Sequence, residues 1–140
     1  MPETEDKKVV DVIARTIWAE ARGEGRAGME AVACVIRNRA NHPRWWGSDY
    51  SSVCLKPNQF SCWNATDPNL PKLRAVTSAD SQFALALEIA SAVVDGTLSD
   101  PTRAVDRYFA ATIAAPSWAA EDKFVRQIGN HKFYRLELTA

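Results

Sequence analysis

Two runs of helical periodicity separated by a cluster of glycines dominate the first third of the chain. From Lys7 to Arg22, apolar residues recur at the spacing of one helix face; they are Val9, Val10, Ile13, Ala14, Ile17 and Ala21. From Ala27 to Asn41 the pattern returns with Met29, Val32, Ala33, Ile36 and Ala40. Between the runs lie Gly23, Gly25 and Gly28, which break helical periodicity. The sequence therefore predicts two amphipathic helices joined by a tight turn, and with them a helical core.

The rest of the chain predicts a long loop region, a third helix and a hairpin. Residues 42–74 hold four of the seven prolines without a sustained period, which predicts an irregular segment, and its aromatic residues favour a functional loop region over a linker. Ser78 is expected to cap a helix whose buried stripe is Phe83, Leu87, Ala90 and Val94, and Gly96 is expected to end it. Gly129-Asn130 lies between two strand-like segments and predicts a hairpin turn. We expect one α+β domain over residues 1–140, mainly helical, with a C-terminal β-hairpin and a flexible N-terminus at 1–7.

Charge and hydropathy narrow the classes of partner. The 17 basic residues balance the 17 acidic ones, so no overall field would attract nucleic acid or anionic lipid. The N-terminal residues MPETEDKK are polar, and no apolar run approaches the ~18 residues of a membrane span. We expect a soluble monomer made in the cytoplasm without a signal peptide. It should need no cofactor and should have no nucleic-acid partner and no stable membrane insertion.

Glu20 is the acidic residue whose position points to chemistry. Projection of the first helix places it between Val9 and Ile13 on the apolar face, where it would face the core or a cleft. Desolvation there and the nearby negative end of the helix dipole would both favour the protonated acid, as a general acid needs. The alternatives are a frayed helix end with a solvated glutamate, or a buried ion pair with Arg37 or Arg39. Glu24, flanked by glycines, is expected in the turn itself.

Two other kinds of catalytic site have little support. A thiol enzyme would need Cys54 or Cys62 beside His131, but neither cysteine begins a helix that would stabilise a thiolate. A zinc enzyme would draw on His42, His131 and the cysteines, whose spacing matches no familiar ligand pattern, so we expect no metal. Cys54 and Cys62 could instead close a short disulfide loop or stay reduced.

Several segments together resemble one protein family. IWAEARGEG, from Ile17 to Gly25, is followed by GMEAVACVIRNR, from Gly28 to Arg39. QFSCW, from Gln59 to Trp63, and IGNHKFY, from Ile128 to Tyr134, complete the pattern. These segments resemble the signature of the spore-cortex-lytic-enzyme-like cell wall hydrolases, and the similarity runs from about Val10 to Tyr134.

This resemblance implies a lysozyme-like fold and cleavage of peptidoglycan glycan strands. Glu20 would protonate the glycosidic oxygen between N-acetylmuramic acid and N-acetylglucosamine. One segment departs from the pattern, because DPTRAVDRYF, from Asp100 to Phe109, stands where the family often has D-P-T-G-G-A-T-H-Y-Y. Asp100, Pro101, Thr102 and Tyr108 match, whereas Asp106 replaces a threonine and offers an extra carboxylate.

Candidate substrate contacts come from the loop region and the C-terminal part. If the loop is extended, alternation sends Gln59, Ser61 and Trp63 to one side, where an amide, a hydroxyl and an indole suit a sugar. Tyr108 is a candidate hydroxyl near the leaving group, and His131 a second polar cleft residue. For each of these residues a purely structural role is the alternative.

The reaction type and the delivery route stay open at this point. A hydrolytic muramidase needs a second carboxylate, for which Glu24 and Asp106 are candidates. A lytic transglycosylase needs only one glutamate, and we favour it because only Glu20 stands out. A non-catalytic wall-binding module is the alternative to an enzyme, with Trp45, Trp46, Trp63 and Trp118 as a stacking surface. A phage endolysin that reaches the wall after membrane permeabilisation fits best, ahead of a bacterial autolysin without its export segment.

Overall fold

The two predicted N-terminal helices are present and are joined by a tight turn. The computed structural model describes residues 2–99 and 105–138, with side chains from residue 6 onward. Helix α1 spans Pro2–Ala21 and helix α2 spans Gly25–Asn41, so both begin earlier than predicted and the expected flexible segment is helical from Pro2. Gly23 and Gly25 take φ values of 90° and 78°, which only glycine adopts without strain. This turn reverses the chain directly after Glu20.

The loop region is more regular than the sequence predicts. Within it lie helix α3 (Tyr50–Leu55), a 3₁₀ helix (Ser61–Trp63) and helix α4 (Asn69–Ala75). Asp49 and Ser52 form a reciprocal capping box, in which each side chain accepts a hydrogen bond from the other residue's backbone N–H. Helices this short contain too few turns to show a period, so the expectation of an irregular segment is wrong.

The third predicted helix is present with a shifted start and a rotated face. Helix α5 spans Ser81–Asp95, and Asp80, not Ser78, caps it by accepting from the backbone N–H groups of Gln82 and Phe83. Gly96 ends the helix in the left-handed region, as predicted. The buried face consists of Phe83, Ala86, Ile89, Ala90 and Val93, so Phe83 and Ala90 of the predicted stripe are buried, whereas Leu87 and Val94 lie at its edge, partly buried against the core. Helices α1, α2 and α5 pack together around the main core.

A small antiparallel sheet completes the domain. Strands β1 (Arg107–Ala110), β2 (Phe124–Ile128) and β3 (His131–Tyr134) pair in the order β1-β3-β2. The predicted hairpin is β2 and β3, whereas β1 was not predicted. Fully buried Phe133 joins the sheet to the helical core. The mainly helical α+β fold is confirmed.

Residues 2–99 and 105–138 contain no helix of the length and apolar character needed to cross a bilayer. Asp100, Pro101 and Thr102, which match the family pattern, lie outside the described residues.

Candidate active site

Glu20 lies in the last turn of α1 and lines a cavity of about 320 Å³ between the helices and the sheet. This cavity is called the central cleft below. The rest of its lining consists of Arg39, Gln59, Phe60, Ser61, Tyr108, Phe109, Ala110, Ile113 and His131. The side chain is partly buried, so it meets both protein and solvent. The cleft-facing placement agrees with the helical projection, while the catalytic role of Glu20 stays a prediction.

Tyr108 on β1 holds the Glu20 carboxylate directly. Its hydroxyl donates a hydrogen bond of 2.5 Å to Glu20 Oε1. Burial raises the pKa of the Tyr108 phenol well above its ordinary value, and the negative charge of Glu20 raises it further. The phenol therefore stays protonated at neutral pH and keeps donating to Glu20. This contact joins two residues that are far apart in the sequence.

His131, the first residue of β3, forms another part of the cleft wall. Its ring meets the Tyr108 ring edge-on, with 5.0 Å between centroids. Burial lowers the pKa of His131, although the charges of Glu24 and Glu20 oppose that shift. The imidazole is therefore mostly neutral at neutral pH. Its Nδ1 is buried and has no hydrogen-bond partner among the described residues.

Glu24, a candidate second carboxylate, does not line the central cleft. Its two carboxylate oxygens accept from the backbone N–H of Asn130 at 2.7 Å and from the Asn130 side-chain amide at 3.1 Å. These bonds tie the α1–α2 turn to the β2–β3 turn. The Asn130 backbone hydrogen bond lowers the pKa of Glu24, so the carboxylate is ionised at neutral pH. The geometry therefore favours a structural role.

Asp106, the other candidate carboxylate, is buried away from the cleft. Its side chain is fully inaccessible and accepts hydrogen bonds from the backbone N–H groups of Leu136, Glu137 and Leu138 at 2.8–3.2 Å. These hydrogen bonds satisfy the buried carboxylate and hold the backbone of residues 136–138, which follows β3, in place. It is not placed to activate a water in the central cleft.

The loop residues do not share one side as the alternation predicts. Gln59 and Ser61 line the central cleft, but Trp63 lines a separate groove. The Trp63 indole donates a 2.9 Å hydrogen bond to Thr16 Oγ1. Because Ser61–Trp63 is a 3₁₀ helix, the period of two required by the prediction is lost, and the shared-face expectation is wrong.

Gln59 is anchored by its amide nitrogen. That nitrogen donates to the backbone carbonyl oxygens of Trp46 and Val53 at 2.9 and 2.8 Å. Gln59 Oε1 is buried and has no partner among the described residues. The side chain is therefore held rigidly, with an unused acceptor at the cleft.

Cys34, Cys54 and Cys62 are buried, and they form no disulfide with one another. Burial raises the pKa of Cys54 to about 12. Burial, together with the negative charge of Glu20, also raises the pKa of Cys62. Both thiols therefore stay protonated at neutral pH, and because the thiolate is the nucleophile, a mechanism that uses either cysteine is disfavoured. Across the described ranges, no cluster of three or more His, Cys, Asp or Glu side chains is arranged to hold a metal ion.

Arg39 is a cleft residue that the sequence analysis considered only as an ion-pair partner of Glu20. It lies in the last turn of α2, is 7% exposed, and donates from Nε to the Asp106 backbone oxygen at 2.9 Å. Burial lowers its pKa to about 10, so it remains protonated at neutral pH. Its position one helical turn after Val35 and Ile36, on the buried face, is the signal that could have identified it.

Comparisons with known proteins agree on one family. A family model described as Cell Wall Hydrolase matches residues 23–134. The chain is 28% identical over 127 residues to the spore cortex-lytic enzyme of Halalkalibacterium halodurans, covering 89% of this chain and 34% of that protein. It is 27% identical over 139 residues to the corresponding enzyme of Oceanobacillus iheyensis, covering 95% and 44%. The chain thus spans less than half the length of these curated relatives.

Solved structures give the same result for the fold. The catalytic domain of the Bacillus cereus SleB protein superposes with a TM-score of 0.68 at 25% identity, covering 92% of this chain and 91% of that one. The catalytic domain of the germination-specific lytic transglycosylase SleB from Bacillus anthracis gives a TM-score of 0.66 at 25% identity, covering 91% and 93%. The similarity therefore extends over nearly the whole of each domain.

Proposed function

This chain belongs to the cell wall hydrolase family, and from that premise we propose that it cleaves the glycan strands of peptidoglycan. The bond cleaved is the one between N-acetylmuramic acid and N-acetylglucosamine. The proposal depends chiefly on one observation: Glu20 lies in the central cleft and accepts a hydrogen bond from the Tyr108 hydroxyl at Oε1. The similarity to a domain described as a germination-specific lytic transglycosylase supports the same reaction class.

Glu20 acts first as the acid. Tyr108 occupies Oε1, which leaves Oε2 to carry the proton that is passed to the glycosidic oxygen. As the bond to the muramic acid C1 breaks, N-acetylglucosamine departs with a restored hydroxyl and Glu20 becomes a carboxylate. The Tyr108 hydroxyl stabilises that negative charge, since hydrogen bonds to charged acceptors are the strong ones.

Glu20 then acts as the base. The 6-hydroxyl oxygen of the same muramic acid attacks C1 and forms a 1,6-anhydro ring, while its proton returns to Glu20. The acid is regenerated and no water is consumed. This route suits the cleft, because Glu20 is the one carboxylate among its described lining residues, while Glu24 and Asp106 are engaged elsewhere. A hydrolytic muramidase, which needs a second carboxylate, is the alternative.

Substitution of Glu20 by Gln tests the catalytic role. Glu20→Gln should lower the rate of sacculus clearance by about 10² to 10⁴-fold, the usual contribution of a general acid, while wall binding is retained. Exposed Glu121 provides the matched control, and Glu121→Gln should clear sacculi at the parent rate. Equal clearance by Glu20→Gln and the parent would disprove the assignment of Glu20, whereas wall binding without clearance by either protein would favour a non-catalytic wall-binding module.

Mass spectrometry of the digest tests the reaction type separately. The transglycosylase route predicts fragments that end in 1,6-anhydro-muramic acid. Reducing muramic acid ends, each heavier by one water, would show hydrolysis and redirect the search to a second carboxylate.

A further inference from the structure

A second cavity, of about 230 Å³, adjoins the central cleft and is called the arginine subsite here. The two cavities share Arg39, Gln59 and Tyr108 in their walls, so a ligand could extend from one into the other. The remaining lining of the arginine subsite consists of Trp45, Asn58, Arg107 and Trp118. It therefore combines cationic and aromatic side chains next to Glu20.

The carboxylates of Asp106 and Glu137 attract the buried positive charge of Arg39, and the rings of Trp46 and Phe60 lie 5.7 Å from its guanidinium, but no described carboxylate contacts it directly. Its Nε donates to a backbone oxygen, but among the described residues no acceptor lies within hydrogen-bond distance of its two terminal nitrogens. No described carboxylate forms an ion pair with it, and the nearby Asp106 carboxylate is occupied by three backbone N–H groups. Burying a charge without a direct partner is unfavourable, so a carboxylate from the ligand would recover part of that cost.

Arg107 contrasts with Arg39 because its charge is matched. It donates to Glu137 Oε2 at 2.6 Å. Its guanidinium also lies between two indole rings, 5.2 Å from the Trp45 centroid and 5.6 Å from that of Trp118. Arg107 therefore lines the subsite with its charge paired to Glu137, whereas the positive charge of Arg39 has no such direct partner and is free to bind an anionic group of a ligand.

Trp45 offers an apolar surface at the mouth of the subsite. It is 52% exposed, although its indole nitrogen is fixed by hydrogen bonds to Glu137. An exposed but immobilised indole is suited to stack on the apolar face of a sugar or on a peptide group.

We propose that the arginine subsite binds a carboxylate carried by the muramic acid residue of the glycan strand, with Arg39 as its binding partner. The carboxylate is that of the lactyl group when it is free, or one of the attached stem peptide. An arginine presents paired N–H groups that match the two carboxylate oxygens. This assignment rests on the proposed glycan-cleaving function, and it makes Arg39 a residue that selects acidic glycan over neutral glycan.

Binding to the Glu20→Gln protein tests the proposal without turnover. The ligands are a peptide-free glycan tetrasaccharide with free lactyl carboxylates, the same fragment after amidation of those carboxylates, and a fragment that retains its stem peptides. Amidation should weaken binding about 10-fold, the scale of one charge-assisted hydrogen bond pair. Tighter binding of the peptide-free fragment identifies the lactyl carboxylate as the ligand group, and tighter binding of the peptide-bearing fragment identifies the stem.

Variants in the Glu20→Gln background assign the effect to the subsite. Arg39→Gln should remove the preference for the charged fragment, and Arg39→Lys should retain part of it. Exposed Arg126 on β2 is the control, and Arg126→Gln should leave the preference unchanged. Since Arg39 is buried and its variants could fail to fold, Trp45→Ala serves as a second variant and should weaken all muramic fragments.

The outcomes separate this proposal from the proposed function. If the parent cleaves sacculi but the Glu20→Gln protein binds the charged and amidated peptide-free fragments equally, and binds the stem-peptide fragment no more tightly than either, the subsite assignment is wrong and the function stands. A preference that survives in folded Arg39→Gln protein would also overturn it. If the parent cleaves no glycan strand, the proposed function fails and the subsite assignment fails with it.

Discussion

At the scale of single residues, Glu20 works beside two neutral neighbours. Burial and the charge of Glu20 raise the pKa of the Tyr108 phenol, and burial lowers the pKa of the His131 imidazole. At neutral pH the cleft therefore presents a hydroxyl donor and an uncharged ring to Glu20, with Arg39 as a nearby cation. Charge that develops on Glu20 is stabilised mainly by the Tyr108 hydrogen bond.

Tyr108→Phe isolates this contribution. The variant retains the buried ring but removes the hydroxyl that donates to Glu20. Since a hydrogen bond to a charged group contributes about 1.5 to 3 kcal/mol, kcat should fall by about 10- to 100-fold. KM should change little, because the hydroxyl acts on the catalytic acid. Tyr50→Phe, at the start of α3, is the control, and steady-state kinetics on soluble glycan separates kcat from KM.

A pure rise in KM, or loss of the folded state in Tyr108→Phe, would contradict the positioning role. The melting temperature of each variant distinguishes these two outcomes.

At the scale of elements, the two turns that flank the central cleft are joined to each other. Glu24 in the α1–α2 turn accepts two hydrogen bonds from Asn130 in the β2–β3 turn. Gly129 has a φ of 57°, and a Cβ at this position would lie 2.4 Å from Glu24 Oε1. A side chain there would thus clash with the carboxylate that holds the hairpin. This link keeps His131 on β3 next to Glu20 on α1.

Glu24→Gln should destabilise the protein in a pH-dependent way. The folded-state pKa of Glu24 lies below its ordinary value of 4.5, so its stabilisation is complete above that pH and is lost as the pH falls through the folded-state pKa. Because the side chain is only partly buried, screening by solvent limits the effect to about 1 kcal/mol or less. The melting temperature of the variant should lie below that of the parent at pH 7, and the gap should shrink in acid.

Glu121→Gln is again the control, and its melting temperature should equal that of the parent at both pH values. If Glu24→Gln instead abolished turnover at an unchanged melting temperature, Glu24 would be reinstated as a second catalytic carboxylate.

At the scale of the whole molecule, the cleft exists only where the helices and the sheet meet. Glu20 comes from α1, Arg39 from α2, Gln59 from the loop region, and Tyr108 and His131 from the sheet. The acidic and basic residues are equal in number, so no net charge draws the protein to an anionic wall. Recognition of the substrate therefore depends on the local charges of the cleft and the arginine subsite.

The predicted phage-endolysin route is a whole-molecule property with a direct test. Expression of the chain inside bacteria should leave the cells intact until the membrane is permeabilised, after which lysis should follow. The Glu20→Gln protein, expressed to the same level, should cause no lysis in either condition. Release of active parent protein into the medium by intact cells would count against this route.

The features that could be predicted from the sequence are those that depend on near neighbours in the chain. Helical periodicity predicted α1 and α2, the glycines predicted the turn between them, and Gly96 predicted the end of α5. Gly129-Asn130 predicted the β2–β3 hairpin. Each of these signals comes from local backbone preference or from a repeated burial pattern, which a short window of sequence contains.

Contacts between side chains that are far apart in the sequence became known from the tertiary structure and were not predicted. Strand β1 has four residues, too few for an alternation signal, and its antiparallel partner β3 lies more than 20 residues further along the chain. Its pairing brings Tyr108 to Glu20 and places Asp106 beneath the backbone of residues 136–138. Trp63 faces away because its 3₁₀ helix directs the indole to Thr16. Such contacts depend on how the helices and strands pack against one another. That packing involves residues from distant parts of the chain, so a short window of sequence does not predict it.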